Sequence, residues 1–121
     1  MKRNSLLIIT SLLVAGALWL ASCSDKEPEV GMLTINVINP QSGPVPWEWV
    51  YLATSLENLQ NKVYVDQAQT TEQGWVKFDT LTPGIYWYDT EHWEDYGAVG
   101  VYLGIDTRAV LWVNTPGPGK K

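Results

Sequence analysis

The segment Glu91-His92-Trp93-Glu94-Asp95 gathers one imidazole and three carboxylates in five consecutive positions of a 121-residue chain. Carboxylates beside an imidazole are the groups used for general acid–base catalysis and for metal ligation. The chain holds a single histidine, too few for a zinc site of the usual kind. Calcium suits carboxylates better, yet no loop has the ligand spacing and glycine of a calcium motif. A Ser-His-Asp hydrolase needs its nucleophile held against a base, and no G-x-S-x-G elbow or similar context surrounds the serines. The expectation is a solvated acidic loop, with no catalytic residue, no metal and no cofactor.

The only thiol is Cys23, placed where an apolar run turns abruptly acidic in LWLASCSDKEPEV. Before it come Lys2 and Arg3, an apolar stretch over 6–20, then Ala21 and Ser22, which is the order of a secretory signal. Fifteen residues in a helix reach roughly 22 Å, short of the roughly 30 Å hydrocarbon core, so a membrane-spanning helix is not expected. Leu20-Ala21-Ser22-Cys23 resembles the lipobox of bacterial lipoproteins. The resemblance implies that residues 1–22 are removed and that Cys23 is acylated on its sulfur and on its new amine. Two or more acyl chains anchor a protein stably where one does not, and a thiol consumed by lipid forms no disulfide. Residues 23–30 are polar, charged and broken by proline, the composition of a flexible tether. Their acidity also resembles the signal that sends some Gram-negative lipoproteins to the outer face of the outer membrane. The expected address is the outer membrane, lipid-anchored at the cell surface, with its periplasmic face as the alternative. Without Lys2 and Arg3, six basic residues face thirteen acidic ones, a formal charge of −7. That balance argues against nucleic acid and anionic headgroups as partners, because both need a basic footprint.

The elements that must position any site lie in the body, 31–114. The following TPGPGKK, 115–121, is rich in residues that cannot donate or that resist ordering, and is expected to be a disordered tail. About 85 residues suffice for one small core. Apolar residues alternate in short runs rich in valine, tyrosine and tryptophan, and no useful helical period is present. Strands are expected at 33–37, 47–53, 62–66, 75–79, 85–90, 98–103 and 108–114. The polar loop 54–61 has room for a helical turn, and Thr82-Pro83-Gly84 reads as a type II corner with glycine at positive φ. Seven short strands at such intervals predict an all-β, seven-stranded, two-sheet antiparallel sandwich.

Thr70, Gly74, Val76, Phe78, Leu81, Pro83, Gly84 and Tyr86 spell T-x-x-x-G-x-V-x-F-x-x-L-x-P-G-x-Y. The pattern resembles the carboxypeptidase regulatory-like and related prealbumin-like (transthyretin-like) domains. Upstream, Pro44-Val45 with Glu48, Val50 and Leu52 occupies the positions of that family's P-V-x-x-A-x-V-x-L segment. Trp47 and Glu48 depart from it, standing where the family usually has glycine and alanine. The resemblance implies a prealbumin-like sandwich serving as an accessory module, and no reaction. The branch that hydrolyses 5-hydroxyisourate relies on several histidines, an arginine and a tyrosine-containing C-terminal motif, which this sequence lacks. Some related surface domains crosslink a lysine to an asparagine, but the first strand here has no lysine.

In the family's register, Val50, Leu52, Val76, Phe78, Tyr86 and Tyr88 face inward, leaving Trp49, Tyr51 and Trp87 on an outer face. The second and fifth strands would be neighbours, so these rings, with Trp47 at the end, could form an aromatic shelf for a sugar or a flat protein surface. The alternative is that loops cover them, or that the strand is flipped and they pack in the core. The chain is thus expected to be a non-catalytic surface lipoprotein, held to the membrane by its N-terminal lipid. Its sandwich would serve as a structural or protein-interaction module or, alternatively, bind glycan through Trp47, Trp49, Tyr51 and Trp87. The partner would be an unknown surface protein or polysaccharide.

Overall fold

The computed structural model describes residues 30–118; the signal segment, Cys23 and nearly all of the expected tether, and 119–121 of the tail lie outside the described residues. The chain forms β1 (Gly31–Asn39), β2 (Gly43–Pro44), β3 (Trp49–Ala53), a short helix α1 (Leu56–Gln60), β4 (Asp66–Gln69), β5 (Trp75–Leu81), β6 (Gly84–Thr90), β7 (Tyr96–Val101) and β8 (Asp106–Trp112). These make the expected two-sheet sandwich. In the first sheet β1 pairs antiparallel with β5 and β2 and parallel with β8. The second runs β4-β3-β6-β7, antiparallel throughout. The parallel β1–β8 pair departs from the purely antiparallel expectation. β8 starts at the same end of the molecule as β1, because the chain crosses from the edge of the second sheet back to the first.

Period-two alternation decides which side chains enter the core. Leu33, Ile35 and Val37 of β1 are fully buried, and Val76 and Phe78 of β5 face them from the neighbouring strand. Val50 and Leu52 of β3 and Tyr86 and Tyr88 of β6 close the core from the second sheet, as the register predicts. Each such aliphatic or aromatic side chain contributes about 1.5–3 kcal/mol on burial.

The motif residues have identifiable tasks. Thr70, 1% exposed, donates its hydroxyl to the Val45 carbonyl and accepts the Glu48 N–H, both at 2.8 Å, so it clasps the entry to β3. Gly74 has φ +86°, and a Cβ there would lie 2.8 Å from Pro44 Cβ, a position only glycine fills. Tyr86 donates its hydroxyl to the Thr82 carbonyl at 2.6 Å, tying the corner between β5 and β6.

Three expectations are corrected. The third strand is not 62–66 but Asp66–Gln69. Ser55 caps α1 by accepting the Asn58 N–H, the helix ends at Asn61, and Lys62 takes φ +62°, so the chain re-enters the ladder only where Asp66 meets Leu52. Gly84 has φ +156° rather than the roughly +80° of a type II corner. Gly84 is already the first residue of β6, paired with Val101. The start of the tail is ordered: Asp95 Oδ2 accepts the Asn114 and Thr115 N–H groups, Thr115 O accepts the Glu94 N–H, and the Gly117 N–H reaches His92 O. Proline and glycine do not prevent this, because the bonds use the donors that remain.

Candidate functional site

Trp49, Tyr51 and Trp87 do project from the outer face of the second sheet, whose inward positions are Val50, Leu52, Tyr86 and Tyr88. β3 and β6 are neighbours, but Trp87 pairs with Ala53. Trp49 therefore lies four residues along β3 from Trp87's partner, about 13 Å away. Between them Tyr51 is only 3% exposed. Tyr64 stacks on it, ring centroids 4.4 Å apart, and the Tyr51 hydroxyl donates to Glu91 Oε1 at 3.0 Å. Burial first, then the bond to Glu91, push the Tyr51 pKa well above its ordinary value. Trp47 is 60% exposed, at the loop before β3. The four expected residues are thus not one shelf: Tyr51 is covered by Tyr64 on the outer face, and Trp47 and Trp87 stand at separate places.

The acidic loop also acquires structure. Glu48, 6% exposed, accepts the His92 N–H at 2.7 Å, and the His92 Nδ1 lies 3.1 Å from its other oxygen. On the far side, His92 Nε2 is 3.8 Å from Glu91 Oε2. The imidazole spans two carboxylates that hold it to the sheet end, a fastening for the loop. Among the described residues no group of three or more His, Cys, Asp or Glu is placed to hold a metal ion.

The surface left open lies on the same outer face of the second sheet, toward the β7 edge. Trp87 and Tyr96 have ring centroids 6.2 Å apart. Alongside them, Ile85 and Tyr102 are each 63% exposed. Ala98 and Gly100 of β7, paired with Trp87 and Ile85, leave a low floor between these side chains. β7 is the sheet's edge and has no second neighbour among the described strands. Behind it a groove of about 520 Å³ opens between β7 and β8, with Tyr96, Gly97, Val110 and Trp112 in its wall and Glu94 and Asp95 at its end. Tyr96 was not singled out by the sequence pattern, although its place two residues before Ala98 follows from alternation once β7 is placed.

The outer face of the first sheet carries a further constellation. Trp75 pairs with Asn36, Lys77 with Thr34, and Thr34 in turn with Arg108. Asp106 accepts the Thr34 hydroxyl at 3.2 Å and stands 3.9 Å from Lys77 Nζ and 3.8 Å from Arg108. These side chains enclose a groove of about 240 Å³. Trp112, 54% exposed, projects from β8 on the same face, since Leu111 and Val113 turn inward.

The sequence matches no known family pattern and no curated protein. Among solved structures the fold is similar to part of the Bacillus anthracis TIE protein, with TM-score 0.55 and 17% identity over 72% of this chain and 17% of that one. It is also similar to part of BcpA, the major pilin subunit of Bacillus cereus, with TM-score 0.50 and 11% identity over 73% of this chain and 31% of that one. The chain thus spans less than a third of the length of either protein, and the likeness is one of fold.

Proposed function

We propose that the chain is a non-catalytic, surface-tethered structural module that engages a protein partner by strand addition along β7. The observation that carries this reading is the character of that edge. Natural sheet edges are blunted by charge, proline or shortness. The first sheet's edges β5 and β8 carry Lys77, Asp79 and Arg108, and β4 is a four-residue polar strand. β7, YGAVGV, has neither charge nor proline. Its free backbone would supply affinity to an added strand and the flanking Ile85, Trp87, Tyr96 and Tyr102 would supply specificity, the usual division of labour in such pairing. The likeness in fold to part of a pilin subunit is consistent with a structural role, and Cys23 as a lipid anchor would place the module at the outer membrane.

A photo-crosslinking residue at Ala98 should yield a discrete protein adduct in the cells that make the chain, and one at Glu72 should not. Ala98→Lys elsewhere-unchanged protein, carrying a charge on the edge, should block association without unfolding the domain. Absence of any adduct at Ala98, or equal adducts at both positions, would overturn the reading.

A further inference from the structure

The groove on the outer face of the first sheet belongs to neither the β7 edge nor the acidic loop. We propose that it binds a neutral polysaccharide, one pyranose ring stacking on Trp75 and its hydroxyls bonding to Asn36, Thr34, Asp106, Lys77 and Arg108.

The strand register sets these groups in rows. Trp75, Asn36 and Val110 form one row across β5, β1 and β8, and Lys77, Thr34 and Arg108 form the next. Asp106 leans into the second row through Thr34. An apolar platform therefore lies beside a strip of donors and acceptors, which suits a molecule with an apolar ring face and a polar rim. The volume, about 240 Å³, is below the roughly 300–1,000 Å³ of sites for drug-sized ligands and fits a single ring.

Charge selects the class. Of the basic residues at 30–118, Lys77 and Arg108 both stand here, with only Lys62 elsewhere. Asp106 and Asp79 approach them at 3.8–3.9 Å, so the groove is compensated rather than cationic. The pairs are loose and exposed, of the kind that contribute little on their own, so ligand hydroxyls can insert between them at small cost. A compensated groove on an acidic protein disfavours uronic acids and other polyanions. Trp112 lies two strands over from Trp75 and one step along β8, about 12 Å away by sheet spacing. One ring cannot touch both indoles, so only a chain of sugars would reach Trp112 as well.

Affinity electrophoresis of the full-length chain in detergent tests this with neutral gluco-, manno-, galacto- and xylo-configured polysaccharides, and polygalacturonate as the acidic probe. At least one neutral polymer should retard the protein, Trp75→Ala and Asn36→Ala should each weaken the effect at least tenfold, and Trp112→Ala should weaken it less. Trp87→Ala, on the other sheet, should leave it unchanged. Circular dichroism of each variant identifies any that fails to fold, and Trp75→Phe, which keeps a flat ring, should retain part of the binding. Retardation by polygalacturonate alone, by no neutral polymer, or equal loss in Trp87→Ala would overturn the assignment. Because the β7 edge is read by crosslinking, the two readings fail independently.

Discussion

Trp47 holds a φ of +57°, a left-handed conformation that costs a side-chain-bearing residue about 1–2 kcal/mol. A glycine takes that conformation freely, and this chain instead displays an exposed indole on it. Trp47→Gly should therefore raise the unfolding free energy by about 1 kcal/mol, read from urea midpoints at unchanged slope. Glu48 has an equally local role, accepting the His92 N–H. Tyr86→Phe should cost about 1 kcal/mol through the lost bond to the Thr82 carbonyl. Tyrosines also set the alkaline limit. Burial raises the pKa of Tyr51, Tyr64, Tyr86 and Tyr88, with Glu91 adding to the effect at Tyr51. Above the ordinary phenol pKa of about 10, the unfolded chain gives up these protons first, so it binds fewer than the folded one and stability falls as pH rises. Urea midpoints should stay level to about pH 9 and drop beyond about pH 10, less steeply in Tyr51→Phe. A midpoint that rises with alkali would contradict these burials.

At the scale of elements, turn chemistry is what fixes the sheets. Gly74→Ala combines a forbidden φ with a Cβ 2.8 Å from Pro44 Cβ, and should cost about 3 kcal/mol, whereas Gly43→Ala, where a Cβ meets nothing, should cost less. Differential urea unfolding of the two variants checks this. The same chemistry made much of the fold legible. The alternation of β1 and the Thr70-to-Tyr86 pattern mark the core face, and the resemblance to prealbumin-like domains implies the β3–β6 adjacency. β4 was illegible because Val63-Tyr64-Val65 has the composition of a strand, while the helix cap at Asn61 and the turn at Lys62 delay pairing to Asp66. Local propensity there lost to the geometry of the return. The aromatic face was half legible: outward direction follows from alternation, but separation along the strand and the Tyr64 cover on Tyr51 depend on register and on a loop. The outward direction of Trp75 and Trp112 follows from plain alternation with Val76 and with Leu111 and Val113, whereas their place beside β1 depends on the β1–β5 and β1–β8 registers.

For the whole molecule, the first prediction is its address. Cys23→Ser removes the thiol that the L-A-S-C sequence offers for thioether formation, so the variant should neither incorporate labelled fatty acid nor fractionate with membranes. A variant that still does both would remove the anchor from the account. Within the described domain, the chain enters at β1 and leaves from β8, and these strands lie side by side in parallel over seven register pairs. Their outer ends therefore point in opposite directions along one ladder. A pull applied at residue 30 and beyond Trp112 loads that ladder in shear, all its bonds at once, and must drag Leu33, Ile35, Val37 and Leu111 through the core they fill. A pull applied across the β6–β7 hairpin would instead peel bonds one after another. Forced unfolding is governed by the barrier to leaving the native state, and a domain whose entry and exit strands are each other's partners raises that barrier along the line joining its two ends.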